Sequence, residues 1–192
     1  MGSAPTKSQE VFGPISKGKE KTKILILGPT DAGKTTIMYK LNYGEVKDTT
    51  IEYCFWAETL ENGNLHIECF DLGLYFKDCN NFLANKIKSI DGLIYVLDIN
   101  DIEIEDFIKM TFKCFQKEEI LKAVPILILG NMVDKMQNSD ESIIVREKVK
   151  EMVNEIGSQM QKNQEWTFKE CCGEKMEVVY EGLEWLVNKI KK

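Results

Sequence analysis

Residues 23–36 read KILILGPTDAGKTT, an apolar run that breaks into a loop bounded by two glycines. The run from residue 24 to residue 27 predicts a short parallel strand that is buried on both faces. The loop fits the spacing G-x-x-x-x-G-K-[ST], in which Gly28 and Gly33 accept main-chain angles closed to other residues. Successive N–H groups can then turn inward around an anion. The stretch therefore predicts a strand, a phosphate-binding loop and a helix.

Two side chains at the end of this loop suit a nucleoside triphosphate. Lys34 is placed to reach the β- and γ-phosphates, and Thr35 to give its hydroxyl to Mg²⁺. A helix that begins here directs its positive end at the phosphates. The alternative is a chance Gly-Lys-Thr turn, but the strand before the loop and the helix-like residues 36–41 after it are the context that the motif requires.

Composition limits the remaining possibilities. The chain has 192 residues, a net charge of −6 and 43% hydrophobic residues, which favours one globular domain and argues against nucleic-acid binding. No apolar run approaches the roughly twenty residues of a spanning helix, so we expect a soluble, cytoplasmic protein. The six scattered cysteines predict free thiols, and the single histidine argues against zinc.

The first twenty residues differ from the rest in composition. Residues 1–20 are rich in Ser, Lys, Gly and Pro and predict a flexible tail, followed by one domain over residues 21–192. Gly2 fits a myristoylation pattern. One acyl chain binds membranes marginally, and the lysines at 17, 19, 21 and 23 supply an electrostatic second signal for peripheral membrane binding. The alternative is a plain disordered tail or a cloning remnant.

Two features follow the predicted phosphate loop. Asn62-Gly63 separates the strand-like runs 53–60 and 65–70 and predicts an antiparallel hairpin. Asp71-Leu72-Gly73 then ends the second run with the D-x-G that phosphate-loop proteins place beside Mg²⁺ and the γ-phosphate. D-x-G alone is a common turn, but its position at the end of a strand downstream of the loop favours the functional interpretation.

The rest of the chain alternates between strand and helix. Strands are predicted over residues 92–98, 124–129 and 166–171, and helices over 78–90, 102–115, 139–156 and 178–190. This pattern predicts an α/β P-loop NTPase fold with a six-stranded, mostly parallel sheet, one antiparallel hairpin strand and helices on both faces. Ligands bind beyond the carboxyl ends of such strands, where the candidate motifs all fall.

Three motifs occur in the order found in Ras-like GTPases, namely the phosphate loop, D-x-G and Asn131-x-x-Asp134. Together with YEGLEWL at residues 180–186, they make the chain resemble the ADP-ribosylation factor branch over residues 23–192. The resemblance implies GTP or GDP bound with Mg²⁺. By analogy Asn131 holds the base region, Asp134 accepts from the guanine N1 and N2 hydrogens, and Cys172-Gly173 replace a Cys-Ala pair near the guanine oxygen. Adenine presents the wrong pattern to a carboxylate.

The expected site residues can be stated in full. The nucleotide-binding set is Gly28, Asp31, Ala32, Gly33, Lys34, Thr35, Thr36, Gly73, Asn131, Asp134, Cys172 and Gly173, and the Mg²⁺ ligands are Thr35 and Asp71, with Glu52 as a further candidate.

Several positions depart from the family pattern. Glu52 falls where the family has a Mg²⁺-ligating threonine, and its carboxylate adds negative charge beside a triphosphate. Leu74 and Tyr75 replace a glycine and the glutamine that positions the attacking water, and one hydroxyl cannot bridge as an amide does. Met132 replaces the lysine that packs over the base, where a thioether contact supplies about 0.3–1.5 kcal/mol. We therefore expect very slow hydrolysis and assign no catalytic residue.

Two functions remain open. The first is a guanine-nucleotide switch that binds a protein effector through loops 45–56 and 72–80. The second is a non-enzymatic subunit of a larger assembly, with the fold retained as a scaffold. The only arginine, Arg146, lies on a predicted helix far from these loops, so an arginine finger must come from a partner, and a P-loop kinase is disfavoured.

Overall fold

The structure is a computed structural model that describes residues 10, 11, 13, 21–43, 57–62, 64–70, 89–101, 103, 105–117, 124–135, 140–160 and 164–190. Its strands are β1 (Thr22–Leu27), β2 (Ala57–Asn62), β3 (Leu65–Phe70), β4 (Gly92–Asp98), β5 (Ile126–Asn131) and β6 (Trp166–Glu170). Its α-helices are α1 (Lys34–Tyr43), α2 (Glu105–Lys117), α3 (Asp140–Gln159) and α4 (Glu177–Ile190), with a 3-10 helix at Val133–Lys135.

The six strands form one sheet in the order β2-β3-β1-β4-β5-β6. β2 runs antiparallel to β3, and the other neighbouring strands run parallel. Asn62 is paired with Leu65 at the end of the β2–β3 ladder, as the Asn-Gly turn predicted. The α/β fold, its mostly parallel sheet and its antiparallel hairpin strand therefore agree with the sequence prediction.

Helices cover both faces of the sheet because the central strands are apolar on both sides. One face presents Leu25, Leu93, Tyr95 and Ile128 to a cluster completed by residues of α2 and α3 such as Phe112 and Val153. The other face presents Ile26, Ile94, Val96 and Leu129 to residues of α1 and α4 such as Ile37 and Leu183. This double burial fixes the strand register and hence the positions of the loops at the strand ends.

The structure corrects two helix boundaries. The predicted helix over residues 102–115 begins at Glu105, because the Asp101 carboxylate accepts a 2.9 Å hydrogen bond from the Glu103 main-chain N–H. The predicted helix over 78–90 does not reach its expected end, since Ser89 and Ile90 are not helical. The rest of that predicted helix lies within residues 71–88, which are outside the described part of the chain.

Among the described residues of the N-terminal region, namely 10, 11 and 13, Val11 belongs to the core. Val11 is only 4% exposed and belongs to the apolar cluster on the α1 and α4 face. The prediction of a flexible tail over residues 1–20 therefore does not hold at Val11. Burial of this aliphatic side chain favours its docking on the core in spite of the nearby Gly13-Pro14. Gly2 lies outside the described residues.

The free thiols agree with the prediction where they are described. Cys69, Cys171 and Cys172 form no disulfide, and the first two are buried. Within the described ranges, no helix has the combined length and apolar character that crossing a bilayer requires.

Candidate functional site

The loop after β1 has the backbone that its glycines predicted. Gly28 has a φ of +154° and Gly33 a φ of +84°. A Cβ atom on Gly28 would lie 1.9 Å from the Val96 carbonyl oxygen, so no side chain fits there. Asp31 also has a positive φ, at 61°. Positive φ values within a turn produce the concave arrangement of N–H groups that binds anions.

Lys34 begins α1 and lies beneath this loop. Its side chain is 2% exposed, and its ammonium group donates to the Pro29 carbonyl oxygen. A buried ammonium carries a strong desolvation cost and requires polar or anionic partners. The positive charge is therefore held inside the concave loop, next to the N-terminal end of a helix, where a phosphate group is favoured.

Asn131 joins the phosphate loop to a second loop. Its side-chain Nδ2 donates a 2.9 Å hydrogen bond to the Ala32 carbonyl oxygen. Its Oδ1 accepts a 2.7 Å hydrogen bond from the Gly173 main-chain N–H and lies 3.8 Å from the Cys171 Sγ. The residue is 2% exposed, and a Cβ on Gly33 would lie 2.3 Å from its Nδ2. Gly33 is therefore required for the junction as well as for its backbone angle.

Asp134 stands in the 3-10 helix that follows β5. The thiol of Cys172 hydrogen-bonds to the Asp134 carboxylate and lowers its pKa. Burial opposes this lowering, and a backbone hydrogen bond and the charges of Lys135 and Lys175 add to it by smaller amounts. The carboxylate is exposed and ionised, so both of its oxygens act as acceptors. Cys171, by contrast, is buried, and burial raises the pKa of its thiol to about 12.

Met132 lies between these groups in a left-handed conformation, with a φ of 66°. Its Cε would be 3.6 Å from a Cβ built on Gly33, so its side chain crosses the end of the phosphate loop. Met132 occupies the position at which the family has a lysine. The contact is apolar, and the ammonium that a lysine carries is absent.

Sequence reasoning missed Asn100, which supports this loop. Its side-chain Nδ2 donates to the Met132 carbonyl oxygen at 3.0 Å and to Asp98 Oδ1 at 2.9 Å, and the Asp98 carboxylate also accepts from the Asn100 main-chain N–H at 2.8 Å. Asp98 is the register partner of Asn131. The Asp-x-Asn sequence at the carboxyl end of β4 was the available signal, because ligands bind at that edge of the sheet.

The structure brings most of the predicted residues to one edge of the sheet. Thr35 and Thr36 are half-buried in the first turn of α1, Gly173 is buried and Cys172 is half-buried. The remaining predicted positions, namely Glu52, Asp71, Gly73, Leu74 and Tyr75, lie outside the described residues. The described site thus contains the phosphate loop, the loop over residues 131–134 and the loop that carries Cys172 and Gly173.

Comparison with known proteins gives a family. A sequence model of the ADP-ribosylation factor family matches residues 9–190. ADP-ribosylation factor 1 of Brassica rapa subsp. pekinensis is 30% identical over 174 residues, which cover 91% of this chain and 91% of that protein.

Two solved structures have the same fold. A small COPII coat GTPase SAR1 from Encephalitozoon cuniculi, in complex with GDP, superposes with a TM-score of 0.69 at 19% identity, covering 96% of this chain and 87% of that one. The Arl6 BBS3 small GTPase from Trypanosoma brucei, bound to the nucleotide analogue GppNp, gives 0.67 at 20% identity, covering 88% and 97%. The predicted P-loop fold is therefore confirmed.

Proposed function

Because this chain belongs to the ADP-ribosylation factor family of small GTP-binding proteins, we propose that it binds GTP and GDP with Mg²⁺ and hydrolyses GTP very slowly or not at all. The observation that carries the proposal is the Asn131 junction. Its two hydrogen bonds, to Ala32 and from Gly173, hold the phosphate loop next to the loop of Cys172 and Gly173, which is the proposed base-side loop. A bound nucleotide would place its polyphosphate in the phosphate loop and its base at the other loop.

The residues present fit a guanine nucleotide. The loop from Gly28 to Lys34 has positive φ values and a buried ammonium group, which suit a polyphosphate. The ionised Asp134 offers two acceptor oxygens, which match the N1 and N2 hydrogens of guanine. The proposed nucleotide-binding set is therefore the one predicted from the sequence.

The proposed metal site is supported in part by the described residues. Thr35 follows Lys34 in the first turn of α1, where its hydroxyl is available to a cation that bridges phosphate oxygens. We propose Asp71 as a second ligand and Glu52 as a candidate third. Mg²⁺ neutralises phosphate charge when it is bound, and the protein positions it through these oxygens.

Slow hydrolysis follows from the residues at the catalytic positions. Tyr75 has one hydroxyl and cannot align a water as the family's glutamine does. Leu74 restricts the backbone beside the γ-phosphate, and Glu52 places a negative charge near the triphosphate. The one arginine of the chain, Arg146, lies on α3 and forms an ion pair with Glu170, so no arginine finger is available in cis.

We further propose that partners bind through loops 45–56 and 72–80, where family members respond to the γ-phosphate. Acylation of Gly2, together with the nearby lysines, would hold the protein peripherally on a membrane surface. Residue 11 is already docked on the core, so such an anchor would be tethered close to the domain.

The second candidate is a non-enzymatic subunit with a fixed nucleotide or none. The substitutions Glu52, Leu74, Tyr75 and Met132 favour it, because all four fall at positions that sense or process the nucleotide. In that case the phosphate loop would serve stability and the outer surfaces would carry the function.

One experiment separates these functions. The protein is purified without added nucleotide, any ligand is released by acid and identified by chromatography, and GTP turnover is followed for hours. Bound nucleotide that exchanges for added GTP supports the switch, and bound GTP that neither exchanges nor turns over supports the fixed subunit. Absence of nucleotide, with no binding at millimolar GTP and Mg²⁺, would overturn the proposal.

A further inference from the structure

The strand β6 is the last strand of the sheet, and its outer edge is unpaired among the described strands. Ile126 donates its main-chain N–H to the Glu165 carbonyl at 3.0 Å, and Cys171 donates to the Gly130 carbonyl at 2.8 Å. Odd-numbered residues of this segment therefore turn their main-chain groups towards β5. Trp166, Phe168 and Glu170 turn theirs outward, which offers a row of donors and acceptors to another strand.

Charges that usually protect such an edge are neutralised here. Lysine and glutamate on an edge strand discourage pairing with other chains. Glu170, however, forms a 2.7 Å ion pair with Lys150 and a second one with Arg146. Lys169 is paired with Glu181 at 3.2 Å. The edge carries no proline, and its charges are engaged within the molecule.

An exposed apolar side chain adjoins this edge. Ile143 is 53% exposed and precedes Arg146 by three residues on α3, so it lies one helical turn from the contact with Glu170. Ile144 is equally exposed, at 54%, but points about 100° further round the helix, away from β6. These two are the exposed large aliphatic residues of the described chain.

We propose that two copies of this chain pair through their β6 strands in antiparallel orientation, forming a continuous twelve-stranded sheet with two-fold symmetry. Only residues with outward main-chain groups can exchange hydrogen bonds with the second copy. In the register proposed here, Phe168 faces Phe168 of the second copy, and Trp166 faces Glu170. This register uses all three outward residues of each strand and allows about six main-chain hydrogen bonds.

The same register favours a second copy of this chain as the partner strand at the β6 edge. Ile143 lies one turn from Arg146, which contacts Glu170, and Glu170 lies opposite Trp166 of the second copy. The exposed isoleucine of each copy therefore comes beside the half-buried tryptophan of the other, and both apolar side chains are covered twice by symmetry. The arrangement does not depend on bound nucleotide, so it stands or falls separately from the proposed function.

The first test is the oligomeric state of the full chain by sedimentation velocity and light scattering, between about 1 and 100 μM, the range of modest protein–protein affinities. Wild type is expected to shift from monomer to dimer. Ile143→Lys is expected to raise the dimer dissociation constant at least about tenfold, and Ile144→Lys, the matched control, by less than about threefold. A wild-type monomer throughout, or equal effects of the two variants, would overturn the proposal.

The second test reads the register. Thr167 and Lys169 of the two copies would face each other as a non-hydrogen-bonded pair, with Cα atoms about 4.5 Å apart, a separation that a disulfide can span. The double variant Thr167→Cys, Lys169→Cys is expected to give a dimer resistant to denaturing electrophoresis after mild oxidation. Each single variant should remain monomeric in the same electrophoresis. Oxidised wild type should do so too, and it controls for the native cysteines. Equal cross-linking by the single variants, or none by a folded double variant, would contradict the register.

Discussion

The side-chain amide of Asn131 donates a 2.9 Å hydrogen bond to the main-chain carbonyl of Ala32, across 99 residues of sequence. The same side chain accepts from Gly173, so one buried residue connects three segments of the site. Loss of this residue should therefore affect stability and nucleotide binding together.

Asn131→Ala removes both hydrogen bonds and leaves the Ala32 carbonyl and the Gly173 N–H without this partner. We expect a loss of about 1–3 kcal/mol in the free energy of unfolding, together with weaker GTP binding. Urea denaturation and titration calorimetry measure the two effects. Asn154→Ala, at an exposed position on α3, is the control. Unchanged nucleotide affinity in the Asn131 variant would contradict its role as the junction.

Lys34→Ala removes the ammonium group beneath the phosphate loop. We expect triphosphate binding to be abolished, because no other described cation lies inside the loop. Binding of a fluorescent GTP analogue with Mg²⁺ is the measurement. Lys148→Ala, which changes an exposed lysine on α3, should bind as wild type does. Wild-type affinity of the Lys34 variant would remove the argument for a phosphate-binding loop.

Two glycines of the site should differ sharply in their tolerance of alanine. A Cβ on Gly28 would lie 1.9 Å from a main-chain oxygen, so Gly28→Ala should destabilise the fold by about 3 kcal/mol or more. A Cβ on Gly173 meets its nearest atoms at 3.4 Å, an ordinary contact. Gly173→Ala should therefore be close to neutral in thermal denaturation. Similar destabilisation by both substitutions would show that the loops are placed differently.

Cys172 should tune the charge of Asp134. Its thiol donates to the carboxylate and lowers the pKa of Asp134, so the carboxylate ionises more readily than its ordinary value of 3.8 implies. The resulting stabilisation is present above that value and is lost as pH falls through the lower folded pKa. Cys172→Ala should raise the pKa of Asp134, and Cys172→Ser should largely preserve it. Carbon-13 NMR titration of the carboxyl group is the measurement, and equal values in wild type and Cys172→Ala would contradict the assignment.

Restoring glutamine at one position should not restore hydrolysis. Tyr75→Gln supplies an amide for the attacking water, but Glu52 and Leu74 still disturb the metal and the γ-phosphate contact. We expect GTP turnover to remain near that of wild type in a single-turnover assay. The triple variant that also carries Glu52→Thr and Leu74→Gly serves as the comparison. A normal family rate in the single variant would show that Tyr75 alone limits catalysis.

The sequence predicts most of the fold because its periodic patterns are strong. Inward residues of α3, such as Val149, Val153 and Ile156, recur at helical spacing, and all three are buried. The phosphate loop is equally predictable, since the need for glycine at positions 28 and 33 is local. Both residues have the positive φ that the motif implies.

Other features depend on tertiary contacts and escape a reading of local sequence. The hydrogen bond between Cys172 and Asp134 and the left-handed backbone of Met132 arise from the way separate loops meet. Burial of Val11 was missed because the following Gly13-Pro14 indicated an interrupted helix, whereas docking requires only one well-placed aliphatic group. Asn100 was missed because its role is to support a carbonyl of another loop.

The position of β1 in the middle of the sheet has a consequence for synthesis on the ribosome. β1 is made first but pairs with β3 and β4, and the loop after it is held by Asn131, which in turn accepts from Gly173. The pocket is therefore assembled from early and late parts of the translated chain. A nascent polypeptide cannot complete it until residue 173 has left the exit tunnel, so ligand capture should begin well after the phosphate loop itself has emerged.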